Sequence, residues 1–284
     1  MKKINSGTKI NWREVLRKTP VYFFLILGSI LMIFPFIWMI LTSFKTHAEA
    51  ITFPPKFWPN TFSFVNYHQA FSMAPFGKYF INSVIVMVLS VLTTTTTTIL
   101  GAFAFSKMKF PGRSLIFSIL LSLMMIPFEM LIITNYTTIV KIKLYNTIPA
   151  LVMPFISSIF YTYILKNFFD TISDSLYYSA RIDGASNWTY LWRIMVPIAK
   201  PSIFTIILLN ALSSWNSFMW PLYVTSDAKS RTLPYGLQVF TTEAASYSEY
   251  LMAASTIVVL PMIILFILTR KYIVNGVSTG GLKG

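Results

Sequence analysis

Six long apolar stretches constrain this chain more than any other feature. They lie near residues 20–43, 79–105, 114–135, 148–168, 203–225 and 250–269. A helix crosses a hydrocarbon core of about 30 Å with roughly 20 apolar residues, and a bilayer requires each backbone polar group to bond within the protein. We therefore predict an all-α polytopic membrane protein with six transmembrane helices. The first stretch is too long for a signal peptide and no small-residue cleavage site follows it, so we expect it to remain as an anchor.

Composition supports the membrane class and excludes several others. Hydrophobic residues make up 55% of the 284 residues and charged residues 11%, with a mean hydropathy of +0.63, whereas soluble domains carry charge at about a quarter of positions. The chain has no cysteine, and its two histidines, His47 and His68, lack metal-ligand spacing. Neither a G-x-S-x-G motif nor a G-x-x-x-x-G-K-[ST] phosphate loop occurs. We therefore expect no catalytic site, no metal site and no cofactor on this chain.

The basic residues are distributed unevenly between the two sides of the predicted helices. With the N-terminus inside, sixteen face the cytoplasm: Lys2, Lys3, Lys9, Arg13, Arg17, Lys18, Lys107, Lys109, Arg113, Lys166, Arg181, Arg193, Lys200, Arg270, Lys271 and Lys283. Seven face outside: Lys45, Lys56, Lys78, Lys141, Lys143, Lys229 and Arg231. The positive-inside rule then predicts cytoplasmic segments 1–19 and 271–284 on either side of a membrane domain over 20–270. Because the cations sit at helix ends, the net charge of +14 does not indicate a nucleic-acid partner.

Residues 170–202 form a polar segment between the fourth and fifth apolar stretches. The segment is too long for a tight connection, and its pattern predicts two short helices. Ser173 or Asp174 caps the first helix, and Gly184 ends it because glycine adopts the left-handed conformation without a Cβ penalty. The predicted apolar face of this helix consists of Leu176, Ala180 and Ile182.

The second helix of this segment is capped by Ser186 or Asn187. It ends at Pro197 and Pro201, since proline lacks the N–H that a continuing helix needs. Its predicted apolar face consists of Trp188, Leu191, Trp192 and Met195. We expect a folded docking element. A DNA-binding helix-turn-helix is disfavoured, because residues 174–196 carry two cations against two carboxylates.

Several motifs resemble those of one transport family. The sequence of residues 179–186 is Ser-Ala-Arg-Ile-Asp-Gly-Ala-Ser, and the motifs Trp-Arg-Ile-x-x-Pro and Lys-Pro follow it. Together they resemble the cytoplasmic EAA loop of binding-protein-dependent ABC importer permeases of the maltose-type carbohydrate group. Further motifs similar to that group lie at 103–107, 110–113, 215–222, 232–237 and 280–284. One position departs from the family, because Tyr178 stands where the glutamate of EAA is usual.

The resemblance implies a type I ABC importer permease fold and a role as half of a translocation path. It implies docking of ATP-binding subunits at Ser179, Ala180, Arg181, Asp183, Gly184 and Ala185. The implied partners, besides the lipid bilayer, are a second permease subunit, two ATP-binding subunits that carry ATP and Mg²⁺, and an extracytoplasmic solute-binding protein. The implied mechanism is alternating access. The alternative is a secondary transporter or channel acting without an ATPase, although such proteins usually show internal repeats or several intramembrane charges.

Polar side chains within the apolar stretches are the candidates for a sugar path. These are Glu129, Asn210, Ser213, Trp215 and Asn216. An intramembrane carboxylate marks a functional site unless it lies at the outer interface. In the fifth stretch, the amides of Asn210 and Asn216 and the indole of Trp215 suit either contacts with a sugar or hydrogen bonds between helices.

Two further segments have two interpretations each. Six consecutive threonines, 93–98, suit helix packing or a polar lining, and we predict packing because only some of six consecutive residues can face one cavity. Residues 45–78 carry prolines and aromatics that suit an interfacial belt or a surface for an external partner.

Overall fold

The structure is a computed structural model that describes residues 12–242 and 247–280, with side chains for 18–240 and 247–269. Within these residues every regular element is helical, as predicted. The α-helices are α1 (Trp12–Thr42), α2 (His47–Ala50), α3 (Val65–Met73), α4 (Phe76–Lys107), α5 (Arg113–Leu123), α6 (Ile132–Lys141), α7 (Ile148–Val152), α8 (Ile159–Asp170), α9 (Asp174–Ile182), α10 (Asn187–Tyr190), α11 (Val196–Ile198), α12 (Lys200–Trp215), α13 (Met219–Val224), α14 (Gln238–Thr242) and α15 (Ser248–Gly280). Three 3₁₀ turns, Phe128–Leu131, Met153–Phe155 and Pro234–Leu237, and one π-helical turn, Leu191–Met195, accompany them.

Three of the predicted spans are single helices. Helices α1, α4 and α15 contain the apolar stretches Lys18–Thr42, Phe76–Lys107 and Ser248–Thr269, of 25, 32 and 22 residues. Each is long enough to cross a bilayer. These stretches agree with the predicted first, second and sixth spans.

The prediction of continuous helices over 114–135, 148–168 and 203–225 is wrong. Helix α5 meets the segment Phe128–Lys141 at 89°, and Ile148–Phe155 meets α8 at 47°. Pro127 lies at the first break, where proline supplies no N–H to a continuing helix. Pro154 lies in the 3₁₀ turn just before the second break. The predicted fifth span is interrupted, because α12 ends at Trp215 before α13 begins. The segment Asn187–Ile198 meets α12 at 80° and forms a third bent pair with it. Six spans result if each bent pair crosses once.

The backbone carbonyls freed at the break before α8 are bonded by threonines of α4. The Thr94 hydroxyl donates to the Phe155 carbonyl at 2.5 Å, and the Thr97 hydroxyl donates to the Ile156 carbonyl at 2.7 Å. Thr94 is fully buried. An unbonded carbonyl in a bilayer costs several kcal/mol, so these contacts stabilise the break. They agree with the packing interpretation of the threonine run.

The described residues divide into two compact units. One contains residues up to 70 and 247–256, and the other contains 71–242 and 257–280. Within the second unit α4 packs along α8 and α12. Gly101 permits the close approach to α8, since a Cβ there would lie 3.2 Å from Cγ2 of Thr162. Small residues bring membrane helices together in this way.

In the first unit, the chain after α1 is organised around a buried lysine. Lys45 is 1% exposed, donates to the Lys56 carbonyl at 2.7 Å, and lies 4.1 Å from the Trp38 ring centroid. Aromatic side chains farther along are exposed, with Phe53 at 91% and Trp58 at 65%. Side chains as exposed as these suit an aromatic belt at the lipid headgroups and a surface for an external partner equally well.

We expect Thr94→Val to lower the free energy of unfolding by about 1 kcal/mol, because it leaves the Phe155 carbonyl without its donor. Thr96→Val is the matched control, since its exposed hydroxyl bonds back to the Leu92 carbonyl of the same helix. Thermal unfolding of the purified protein in detergent measures both variants. Equal unfolding temperatures would contradict the packing role of Thr94.

Candidate functional site

The polar segment begins with the predicted helix and glycine turn. Helix α9 starts after Ser173, whose hydroxyl accepts a backbone N–H of its first turn. It ends in a Schellman motif, in which Gly184 N donates to Arg181 O at 3.1 Å and Ala185 N donates to Ala180 O at 2.9 Å. Gly184 has φ +79°, in the left-handed region. A Cβ at this position would meet nothing within 4 Å, so any strain from a side chain arises in the backbone alone.

Most of the predicted docking residues are exposed. Ser179, Arg181, Asp183 and Gly184 are exposed, Ala185 is half-buried and Ala180 is buried. The predicted apolar face of α9 is wrong in part, because Ile182 is 86% exposed and Leu176 is 39% exposed. Ile182 lies two positions beyond the buried Ala180, about 200° around the helix. Its side chain is therefore available to another protein.

The second helix is capped by Ser186, whose hydroxyl accepts the N–H of Thr189 at 3.1 Å. It continues to Ile198, one residue beyond the predicted stop at Pro197. The intervening π-helical turn widens the helix just before Pro197, whose ring would otherwise collide with the carbonyl four residues earlier. The chain then bends by 80° into α12, with Pro201 in its first turn.

The base of this segment packs into the core of the membrane domain. One hydrophobic cluster joins residues of the segment with residues of α4 and α8: Ala180, Tyr190, Leu191 and Met195 with Phe103 and Leu165. The fully buried Tyr190 ring lies 6.4 Å from that of Phe103 and 5.0 Å from that of Tyr177, between ring centroids. This close-packed cluster fixes the segment against α4 and α8.

An ion pair also joins the segment to the end of α4. Lys107 Nζ lies 2.7 Å from Asp174 Oδ1 and donates to the Ile172 carbonyl at 2.7 Å. The hydrogen bond and charge of Lys107 hold the pKa of Asp174 below its usual value, and the charges of Lys109 and Arg113 lower it further. The first turn of α9 is thus fixed to the end of a membrane helix.

A polar cavity of about 70 Å³ lies within the second unit, beside α4, α12 and the break before α8, and is called the transport cavity after the role proposed for it. Its polar lining consists of Ser90, Asn210, Ser213, Ser214, Ser217 and Thr232. Asn210 and Thr232 are 7% and 4% exposed. Asn210 Oδ1 and Thr232 Oγ1 have no hydrogen-bond partner among the described residues. Buried polar atoms are normally bonded, so these two suit water or a ligand hydroxyl.

The other predicted path residues lie outside this cavity. Trp215 is 3% exposed, its Nε1 donates to the Val258 carbonyl at 3.1 Å, and its ring packs edge-on against Phe80. The proposed sugar contact at Trp215 disagrees with this placement. Trp215 lies five residues after Asn210 and therefore about 140° around α12. Asn216 is exposed where α12 ends, and Glu129 is exposed in the 3₁₀ turn after Pro127.

Sequence reasoning missed Ser90 and Thr232 as lining residues. Thr232 reaches the cavity because α4 holds the chain on both sides of it. Asn82 Nδ2 donates to Arg231 O at 2.9 Å, and Leu233 N donates to Ser83 Oγ at 2.7 Å. In the sequence, the motif at 232–237 is only one of the motifs that resemble those of the permease family. In the structure, the loop that contains this motif is bonded to α4, and the motif forms one packed unit with that helix.

These features define a polytopic integral membrane protein, with broken apolar helices beside a polar cavity and a folded, exposed polar segment. The family described as the binding-protein-dependent transport system inner membrane component matches residues 97–279, more than half of the sequence. The chain belongs to this family. Its members are transport permeases and not enzymes, which confirms the prediction made from the motifs.

Curated relatives are similar over nearly their full length. The trehalose/maltose transport system permease protein MalG of Thermococcus litoralis is 34% identical over 279 residues, covering 95% of this chain and 99% of MalG. The sulfoquinovosyl glycerol transport system permease protein SmoH of Agrobacterium fabrum is 32% identical over 264 residues, covering 91% and 93%.

The fold is similar to that of a solved importer. A crystal structure of a bacterial ABC transporter involved in the import of the acidic polysaccharide alginate matches with a TM-score of 0.79 at 24% identity, covering 95% of this chain and 99% of that chain. This likeness confirms the predicted ABC importer permease fold. The chain is therefore a multi-pass inner membrane permease.

Proposed function

We propose that this chain is one of two transmembrane subunits of an ATP-driven importer for a sugar or oligosaccharide. The transport cavity carries the proposal, because Asn210 Oδ1 and Thr232 Oγ1 are buried polar atoms without a partner among the described residues. Sugar hydroxyls both donate and accept hydrogen bonds, and so suit an amide oxygen and a hydroxyl. The relatives named for trehalose/maltose and sulfoquinovosyl glycerol transport support the same substrate class.

The transport cavity is closed to a sugar in this conformation. Its volume of about 70 Å³ is well below the roughly 300 Å³ at which small-molecule pockets begin. A sugar therefore passes only after the helices around the cavity separate or the second permease subunit completes the path. The bends before α8 and α12 interrupt the helical hydrogen-bond ladder, so we expect such a movement to occur there.

Separate ATP-binding subunits, which carry ATP and Mg²⁺, dock at the exposed turn around Gly184. At this turn Arg181 presents a positive charge, Asp183 presents a negative charge, and the exposed Ile182 adds an apolar contact. Closure of these subunits pushes α9, and the hydrophobic cluster around Tyr190 passes the displacement to α4 and α8. This order of events gives alternating access without nucleotide bound to this chain.

The remaining partners are assigned to other surfaces. Helix α1 exposes large apolar side chains along its length, such as Phe24 at 69% and Met32 at 77%, which suit lipid and the second permease subunit. The extracytoplasmic solute-binding protein contacts the outer loops. Both termini and the Gly184 turn face the cytoplasm, on the basis of the basic residues. A secondary transporter is disfavoured, because the family is that of binding-protein-dependent systems.

We expect Asn210→Leu to reduce sugar uptake about tenfold, the equivalent of one hydrogen bond of about 1.4 kcal/mol to the moving substrate. Leucine has a similar size, so assembly of the complex is preserved. Asn216→Leu is the matched control, since that amide is exposed outside the transport cavity. Uptake is measured per assembled complex in proteoliposomes, and an equal loss in both variants would reject the assignment of this cavity.

Gly184→Val should abolish most transport while membrane insertion is retained. Valine strains the left-handed turn by about 1–2 kcal/mol and changes the direction of the second helix. Gly184→Asn is the control, because asparagine tolerates this conformation, and it should keep most activity. Co-purification of the ATP-binding subunits measures docking. Equal docking and transport for valine and asparagine would exclude a role for the turn geometry.

The orientation is testable in this cysteine-free chain. Ile182→Cys and Phe53→Cys introduce single thiols at side chains that are 86% and 91% exposed. A membrane-impermeant maleimide should label position 53 in intact cells, and position 182 only after the cells are opened. Labelling of position 182 from outside, with position 53 protected, would show that the orientation is the opposite of the one proposed.

A further inference from the structure

A second cavity, here called the basic cavity, lies within the same unit as the transport cavity. Its volume is about 430 Å³. The residues that determine its chemistry are Ser106, Lys107, Lys109, Arg113, Asp174 and Tyr178. Three cations therefore face a single carboxylate.

The basic cavity lies where two apolar helices end. Lys107 is the last residue of α4, a 32-residue apolar helix, and Arg113 is the first residue of α5. The apolar side chains of Met108 and Phe110 between them are 42% and 36% exposed. Cations beside exposed apolar groups at the ends of membrane helices are typical of the headgroup level.

Two of the three cations have no carboxylate partner. Asp174 neutralises Lys107, at 2.7 Å. Arg113 Nη1 donates only to carbonyls, those of Ser106 at 3.2 Å and Met108 at 3.0 Å. Lys109 is exposed, and no partner of its ammonium occurs among the residues that the structure describes. The basic cavity thus keeps a net positive charge available to an anion.

Tyr178 adds a neutral donor to these cations. Its side chain is 53% exposed, and its hydroxyl has no hydrogen-bond partner in the described part of the chain. Tyr178 occupies the position at which the resembling family usually carries a glutamate. A phenol at this place adds no negative charge to that of Asp174, the single carboxylate of the lining.

We propose that the basic cavity binds the phosphate headgroup of an anionic phospholipid. Lys109 and Arg113 attract the phosphate, and the Tyr178 hydroxyl donates a hydrogen bond to one of its oxygens. The binding site lies between the ends of α4 and α5, beside α9 and Asn187. The exposed apolar side chains of Met108 and Phe110 at these helix ends favour a lipid over an acidic side chain of an ATP-binding subunit. The lipid would join α4, α5 and α9 at the membrane surface.

The test uses the importer complex purified in detergent and exchanged into defined lipid. Native mass spectrometry counts phosphatidylglycerol molecules that stay bound, over a titration of phosphatidylglycerol in phosphatidylcholine. We expect Lys109→Gln to bind phosphatidylglycerol about fivefold more weakly, the fold-change for about 1 kcal/mol per cation at an anionic surface. Tyr178→Phe, which keeps the ring, should weaken binding by a smaller factor.

Lys141→Gln is the matched control. It removes the same charge from an exposed position at the end of an apolar segment outside the basic cavity, and should leave lipid retention unchanged. Equal retention by the native complex and Lys109→Gln would overturn the proposal. If that variant instead loses ATP-binding subunits at unchanged lipid retention, the cavity receives an acidic side chain from them. Displacement of the lipid by millimolar inorganic phosphate would show that the basic cavity is instead a site for soluble phosphate.

Discussion

Every carbonyl released by a helix break inside a bilayer needs a hydrogen-bond donor, and the second unit depends on this constraint. Where α7 and α8 separate, Thr94 and Thr97 donate to the carbonyls of Phe155 and Ile156. Trp220 supplies a third donor, from Nε1 to the Ala150 carbonyl at 3.0 Å. These donors stabilise the irregular backbone beside the transport cavity.

Helix α4 connects the transport cavity with the polar segment. Ser90 lines the cavity, Thr94 stabilises the break, Phe103 packs against the polar segment, and Lys107 holds the first turn of α9. Ser90 and Lys107 are seventeen positions apart, about 25 Å along one helix. A rigid element of this length can carry a displacement from the Gly184 turn to the cavity, as the proposed function requires.

Residue type and residue placement were predictable to different degrees. The turn at Gly184 was predictable, because a polar capping residue and a glycine specify local backbone geometry. The placement of Trp215 was not, since Asn210 and Trp215 share one polar stretch but face different sides of α12. Only the partners, Val258 for the indole and the transport cavity for the amide, distinguish them.

The sequence by itself determined the membrane class, the apolar stretches, the helix-turn-helix form of the polar segment and the family motifs, because hydropathy, charge and turn chemistry act over short distances along the chain. Tertiary structure decided which spans are broken, which polar groups face the transport cavity, and which cations remain unpaired beside Tyr178. These outcomes depend on residues far apart in sequence. Thr94 and Phe155 are 61 positions apart, and Lys107 and Asp174 are 67 positions apart. No local pattern specifies such pairs, since only the packing of α4 against its neighbours brings their atoms within bonding distance.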